Sequence, residues 1–112
     1  MRRDDEVRLR HMLDAAREAI SFTQGRTRSN IESDRLLALA LTKSIEIIGE
    51  AASRLSAECR EAYPQVPWVD IIGMRNRLIH AYFDIDSDRV WDTVADDLPQ
   101  LVAFLEGILK SG

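Results

Sequence analysis

Apolar residues recur at three- and four-residue intervals along most of the chain, the period of a helix face rather than the alternation of a strand. Leu9, Met12, Leu13, Ala16 and Ile20 form one such stripe and predict a first amphipathic helix. Gly25 and the polar run 26–30 break it, and Asn30 or Ser33 is placed to cap the next helix. That second helix is predicted to run to about Cys59. Its apolar positions include Leu36, Leu37, Leu39, Leu41, Ile45, Ile47, Ile48, Ala51, Ala52 and Leu55, too many for one stripe. A helix apolar on more than one side lies at the centre of a fold or at a subunit interface.

Pro64 and Pro67 mark a loop, with Pro67 suited to the first residue of a third helix that extends to about Phe83. Asp84, Asp86, Ser87 and Asp88 punctuate the chain again, and Asp86 or Ser87 is a natural N-cap. Val90, Trp91, Val94, Leu98, Leu101, Leu105 and Ile108 trace a fourth helix, and Pro99 inside it predicts a kink. The pattern therefore predicts an all-α, up-and-down four-helix bundle with a Pro-kinked last helix, occupying residues 1–112 as a single domain.

Composition narrows this picture. A hydrophobic fraction of 46% is too high for a disordered chain, and with aromatics at 6% the core must be mostly Leu, Ile, Val and Ala. A chain of 112 residues buries a modest fraction of its surface, so a partner subunit would add stability. The net charge of −4 argues against a general nucleic-acid coat protein but allows a local basic site. Arg2, Arg3, Arg8, Arg10 and His11 are diluted by Asp4, Asp5 and Glu6 and read as a solvated helix start. Cys59 stands alone, which excludes an internal disulfide and fits a reducing cytoplasm. The charged N-terminus has no apolar signal region, and no segment approaches the ~20 apolar residues of a membrane span. A cytoplasmic protein with no membrane association is expected.

The candidate chemistry lies in Met74-Arg75-Asn76-Arg77-Leu78-Ile79-His80-Ala81-Tyr82, a locally positive segment without an acid. Arg offers a planar fork of donors that fits a phosphate, and His is the side chain whose proton moves near neutral pH. Cleaving RNA through its own 2′-hydroxyl needs a base, a counter-charge for the phosphorane and an acid for the leaving oxygen. His80 can serve as base or acid, Arg75 can clamp the non-bridging oxygens, and Asn76 can hold the histidine or a phosphate oxygen. No His/Cys/carboxylate cluster has ligand spacing, so neither a metal nor another cofactor is expected.

An Arg, a polar residue, three more residues, His, any residue and Tyr together resemble the signature of HEPN-domain ribonucleases of the HepT-like toxin type. Glu46-Ile47-Ile48-Gly49-Glu50-Ala51, Val90-Trp91-Asp92 and Asp97-Leu98-Pro99 resemble flanking segments of the same family. The resemblance implies an all-helical homodimer with the motif at a dimer cleft. It implies a metal-independent RNA endonuclease that is the toxin of a type VII toxin–antitoxin pair. It also implies silencing by an MntA-like nucleotidyltransferase antitoxin, which transfers AMP to the motif tyrosine, Tyr82. The alternatives from other classes are a non-catalytic nucleotide- or RNA-binding HEPN helper and a helical dimerisation module.

On an ideal helix of ~100° per residue, Arg75 and Tyr82 nearly eclipse while His80 lies about 140° from Arg75. Asn76 and His80 would be neighbours one turn apart. The polar set spans so wide an arc that either the helix distorts near His80 or a second copy completes the site. By ordinary expectation a lone helical His is a surface or satisfied core residue, and Tyr82 an amphipathic edge residue. Arg77 reads as a solvated or interface charge, His11 as a surface residue, and Trp68 and Trp91 as core or interface anchors. Glu46 and Glu50 read as acids that pair with arginines, with orientation of Arg75 as a second reading.

Overall fold

The computed structural model describes residues 1–81 and 84–111. Helix α1 (Arg3–Phe22) starts with Asp4, Asp5 and Glu6, acids that suit the positive end of the helix dipole. It buries Leu9, Met12, Leu13, Ala16 and Ala19. The chain then reverses at Gly25, whose φ of +71° is a left-handed conformation that a β-carbon makes costly. A single turn, α2 (Asn30–Ser33), leads into α3 (Arg35–Ser53).

The cap of α3 is neither Asn30 nor Ser33 but Asp34, whose carboxylate accepts from the Leu37 N–H at 3.2 Å. Asn30 is occupied elsewhere: its Oδ1 accepts from the Thr27 N–H at 2.7 Å and closes the preceding turn. Helix α3 is the centre of the fold, packed on α1 along one side and on α5 (Trp68–Leu78) along another. Leu41, Ile45, Ile48 and Ala52 are fully buried in those contacts.

The second helix stops at Ser53 instead of continuing to Cys59, and a new helix, α4 (Ala57–Ala62), begins beyond it. The cause is a buried acid. Asp5 of α1 accepts from the Ser56 N–H at 2.9 Å and from the Ser56 hydroxyl at 2.7 Å. Ser56 Oγ in turn accepts from the Cys59 N–H at 3.1 Å and so caps α4. Held extended at φ −63°, ψ 152°, Ser56 cannot propagate α3.

Pro67 is the residue before α5 rather than its first residue. Trp68 anchors that start, its buried indole N–H donating to the carbonyls of Arg60 at 3.1 Å and Tyr63 at 3.0 Å. Helix α5 does not reach Phe83. It ends at Leu78, and the chain enters a short antiparallel ribbon, β1 (Ile79–Ala81) with β2 (Asp84–Ile85). Asp86 caps α6 (Ser87–Asp92) by accepting from the Arg89 N–H at 3.1 Å.

Helix α6 runs on through a π-helical turn (Thr93–Asp97) into α7 (Leu98–Ser111), which packs on α1. The disturbance expected at Pro99 takes the form of this wide turn. Pro99 has no N–H to give to the carbonyl four residues back, and a π-turn accommodates the missing bond. Apart from the ribbon, the regular elements among the described residues are all helical, as the periodicity predicts.

Burial pushes the Asp5 carboxyl up, but the Ser56 donors and the charges of Arg2 and Arg8 outweigh it and hold the group below its ordinary value. A carboxylate lowered in the folded state stabilises above its unfolded pKa, and the gain fades as pH falls through the folded value. Asp5→Ala should therefore cost about 2 kcal/mol at neutral pH, the scale of buried hydrogen bonds to a charge. Thermal melts across pH should show the gap from wild type narrowing in acid. A gap independent of pH would refute this account.

Candidate active site

Helix α5 buries Ile71, Met74 and Leu78. That face places Arg75 at its edge, turned toward α3. Its Nε donates to Oε1 of Glu46 at 3.2 Å, and its Nη1 donates to the Ile79 carbonyl at 3.4 Å. Both partners of the ion pair are partly shielded, the Arg75 side chain at 33% and Glu46 at 24% exposure. An arginine in the last turn of a helix also complements the negative end of the dipole.

Glu46 reaches Arg75 because α3 and α5 approach closely one turn further along. At Gly49 a β-carbon would lie 3.5 Å from the backbone oxygens of both Ile71 and Ile72. Asn76 is exposed and lines, with Arg75, Glu46, Glu50 and Ser53, an open cavity of about 320 Å³ between the two helices. Glu50 itself pairs with Arg54 at 2.8 Å. Both acids thus pair with arginines, and of the two it is Glu46 that meets the motif arginine.

His80 leaves the helix. The turn is made at Ile79, which is extended at φ −134°, ψ 108° and buried to 1%. A β-branched, fully buried side chain there favours strand geometry over another helical turn. In the ribbon Ile79 pairs with Ile85 and Ala81 with Asp84, so the register slips between them, at His80. Such a bulge re-aims the side chain it carries. The ribbon is tied back to α5 by the Asp86 N–H, which donates to the Leu78 carbonyl at 2.9 Å. His80 is exposed. No hydrogen bond among the described residues joins it to Arg75 or Asn76. The one-turn relation of Asn76 to His80 is lost with the helix, and the near-eclipse expected of Arg75 with Tyr82 falls on a residue that lies outside the described ones.

The remaining candidates fall where their ordinary readings put them. Arg77 is exposed and donates to the Asp70 carbonyl at 2.8 Å and to its carboxylate at 3.4 Å. His11 is exposed, and Trp91 packs half-buried against the core. Among the described residues no group of three His, Cys, Asp or Glu is placed to hold a metal ion, and no helix is long and apolar enough to cross a membrane.

The family described as Ribonuclease HepT-like matches residues 12–108. A Methanocaldococcus jannaschii protein named as a candidate RNase is 35% identical over 100 residues, 89% of this chain and 92% of its own length. A Caldanaerobacter subterraneus protein named likewise is 36% identical over 102 residues, 91% of each chain. A Thermococcus cleftensis protein named as a candidate ribonuclease HepT is 31% identical over 110 residues, 98% of this chain and all of its own. No solved structure matches the chain at a significant level.

The approach at Gly49 yields a graded expectation. Gly49→Ala should leave the fold intact and raise its stability slightly, since 3.5 Å is ordinary contact and alanine favours a helix by about 1 kcal/mol. Gly49→Leu should force α3 from α5, lowering the melting temperature. Equal melting temperatures for the leucine and alanine variants would show that the helices are not in close contact there.

Proposed function

The chain belongs to the HepT-like ribonuclease family, and from that premise we propose that it is a metal-independent RNA endonuclease in which Arg75 and His80 carry the chemistry. The observation that most supports this is the pairing of a braced arginine with a histidine that the ribbon bulge carries clear of the helix. Arg75 presents a guanidinium edge beside an open cavity, and His80 is exposed a few residues on. In the reaction the 2′-oxygen attacks its own phosphorus and the bond to the 5′-oxygen breaks. The products are a cyclic phosphate and a 5′-hydroxyl. A histidine takes the 2′ proton, a histidine protonates the leaving oxygen, and Arg75 balances the charge gathered on the phosphorane. Asn76, on the cavity rim, holds a phosphate oxygen or the imidazole. Every proton and charge in this scheme is handled by side chains, without a metal.

A homodimer supplies the second histidine. Helix α3 exposes Leu36 at 78% and α5 exposes Val69 at 85%, apolar surface that a second copy would cover. A two-fold axis beside α5 would set two Arg75 and two His80 around one cleft. The same reading makes the protein the toxin of a type VII pair, with an MntA-like nucleotidyltransferase antitoxin and Tyr82 as the AMP acceptor. An attached phosphodiester beside Arg75 would occupy the donors that RNA needs.

His80→Ala should abolish cleavage while RNA binding persists, and Arg75→Lys should lose on the order of a hundredfold because an ammonium cannot grip phosphate bidentately. EDTA should leave the rate unchanged. Wild-type cleavage by His80→Ala, or activity lost to EDTA and restored by Mg²⁺, would reject the mechanism. A wild-type protein that neither bound nor cleaved RNA would favour a dimerisation module.

Incubation with an MntA-like nucleotidyltransferase and ATP should add one AMP and silence the protein. Tyr82→Phe should keep the fold and escape both effects. A mass gain undiminished in Tyr82→Phe, or a modified protein that still cleaves RNA, would remove Tyr82 from the scheme.

A further inference from the structure

We propose that Glu46 is the positioning residue of the site: it sets the plane of the Arg75 guanidinium so that its remaining donors face the scissile phosphate. This rests on the reading of Arg75 as the phosphate clamp. A guanidinium has five N–H donors in one plane, and two contacts on different nitrogens are enough to fix that plane. Here Glu46 takes Nε from the α3 side at 3.2 Å and the Ile79 carbonyl takes Nη1 from the chain just past α5 at 3.4 Å. Of the five donors these two contacts use two, so among the described residues three remain for substrate oxygens, one on Nη1 and both on Nη2. Arg75 lines the cavity that Asn76 shares.

The two braces are unequal. The Ile79 contact is long, made to a neutral acceptor, and local to the same stretch of chain. The Glu46 contact is charge-assisted and comes from another helix, held at this distance by the backbone approach at Gly49. Removing Glu46 leaves Arg75 one weak hold and several rotamers. The clamp is needed most when charge gathers on the phosphorane, so a disoriented arginine lowers turnover more than ground-state binding. A misplacement of about 1 Å costs on the order of a hundredfold.

Three variants separate positioning from charge and from mere scaffolding. Glu46→Gln keeps the reach and an acceptor oxygen but loses the charge. Glu46→Asp keeps the charge but falls one methylene short. Glu46→Ala loses both. Steady-state cleavage of a short RNA should give a Gln variant within several-fold of wild type in kcat. The Asp and Ala variants should lose on the order of a hundredfold in kcat with KM nearly unchanged. In the Arg75→Ala background, added guanidinium should restore cleavage better with Glu46 present than with Glu46→Ala.

An Asp variant more active than the Gln variant would overturn the proposal in favour of a charge effect. Equal loss in all three with a lowered melting temperature would make Glu46 a structural residue only. Wild-type rates in all three, with Arg75→Ala inactive, would refute positioning while leaving the ribonuclease reading intact. Full activity in Arg75→Ala would instead remove the clamp itself, and with it the reading on which the proposal stands.

Discussion

The backbone approach of α3 to α5 at Gly49 governs the geometry around the motif. With no side chain between the helices there, the carbonyls of Ile71 and Ile72 lie within contact distance of where a β-carbon would sit. One turn away, the same spacing lets Glu46 reach the guanidinium of Arg75. A wider gap would take this carboxylate from a guanidinium that is two-thirds shielded, and a partly desolvated charge is costly without a counter-charge. Packing between two apolar helix faces therefore decides an electrostatic contact at the site.

The end of α5 is the second decisive feature. Leu78 closes the helix and Ile79, buried and extended, turns the chain into a ribbon whose register slips at His80. Arg75 is fixed on a rigid helix while His80 is carried on a bulged strand a few residues later. A continuous helix would have spread the motif over a wide arc. Ending it lets two residues close in sequence take orientations that no single helix face offers. The Arg75 contact to the Ile79 carbonyl sits at this junction, so the guanidinium also marks where the helix stops.

A similar logic runs through the N-terminal half. Asp5, in a stretch that reads as a solvated helix start, is buried and takes both donors of Ser56. That contact stops α3 at Ser53, starts α4 and ties α1 to the far end of the central helix. A charged residue is buried only where donors meet it, and here the donors come from residues about fifty positions away, beyond the reach of any local pattern.

The sequence by itself determined the helical character of the chain, the core stripes of α1, α3 and α7, a cap at Asp86 or Ser87, the disturbance near Pro99 and the segment that bears the candidate chemistry. All of these come from side-chain periodicity and from residues with fixed backbone consequences, both local properties. Only the tertiary structure decided that Asp34 rather than Asn30 or Ser33 caps α3, because three neighbouring polar residues compete for one position. It decided that Ile79 leaves the helix, because an isoleucine fits a helix or a strand and burial makes the choice. It also decided which acid meets Arg75. Glu46 and Glu50 look alike one turn apart on α3, yet Glu50 faces Arg54 on its own helix and Glu46 faces α5. That difference is set by the rotation of one helix against another, which no pattern within either helix records.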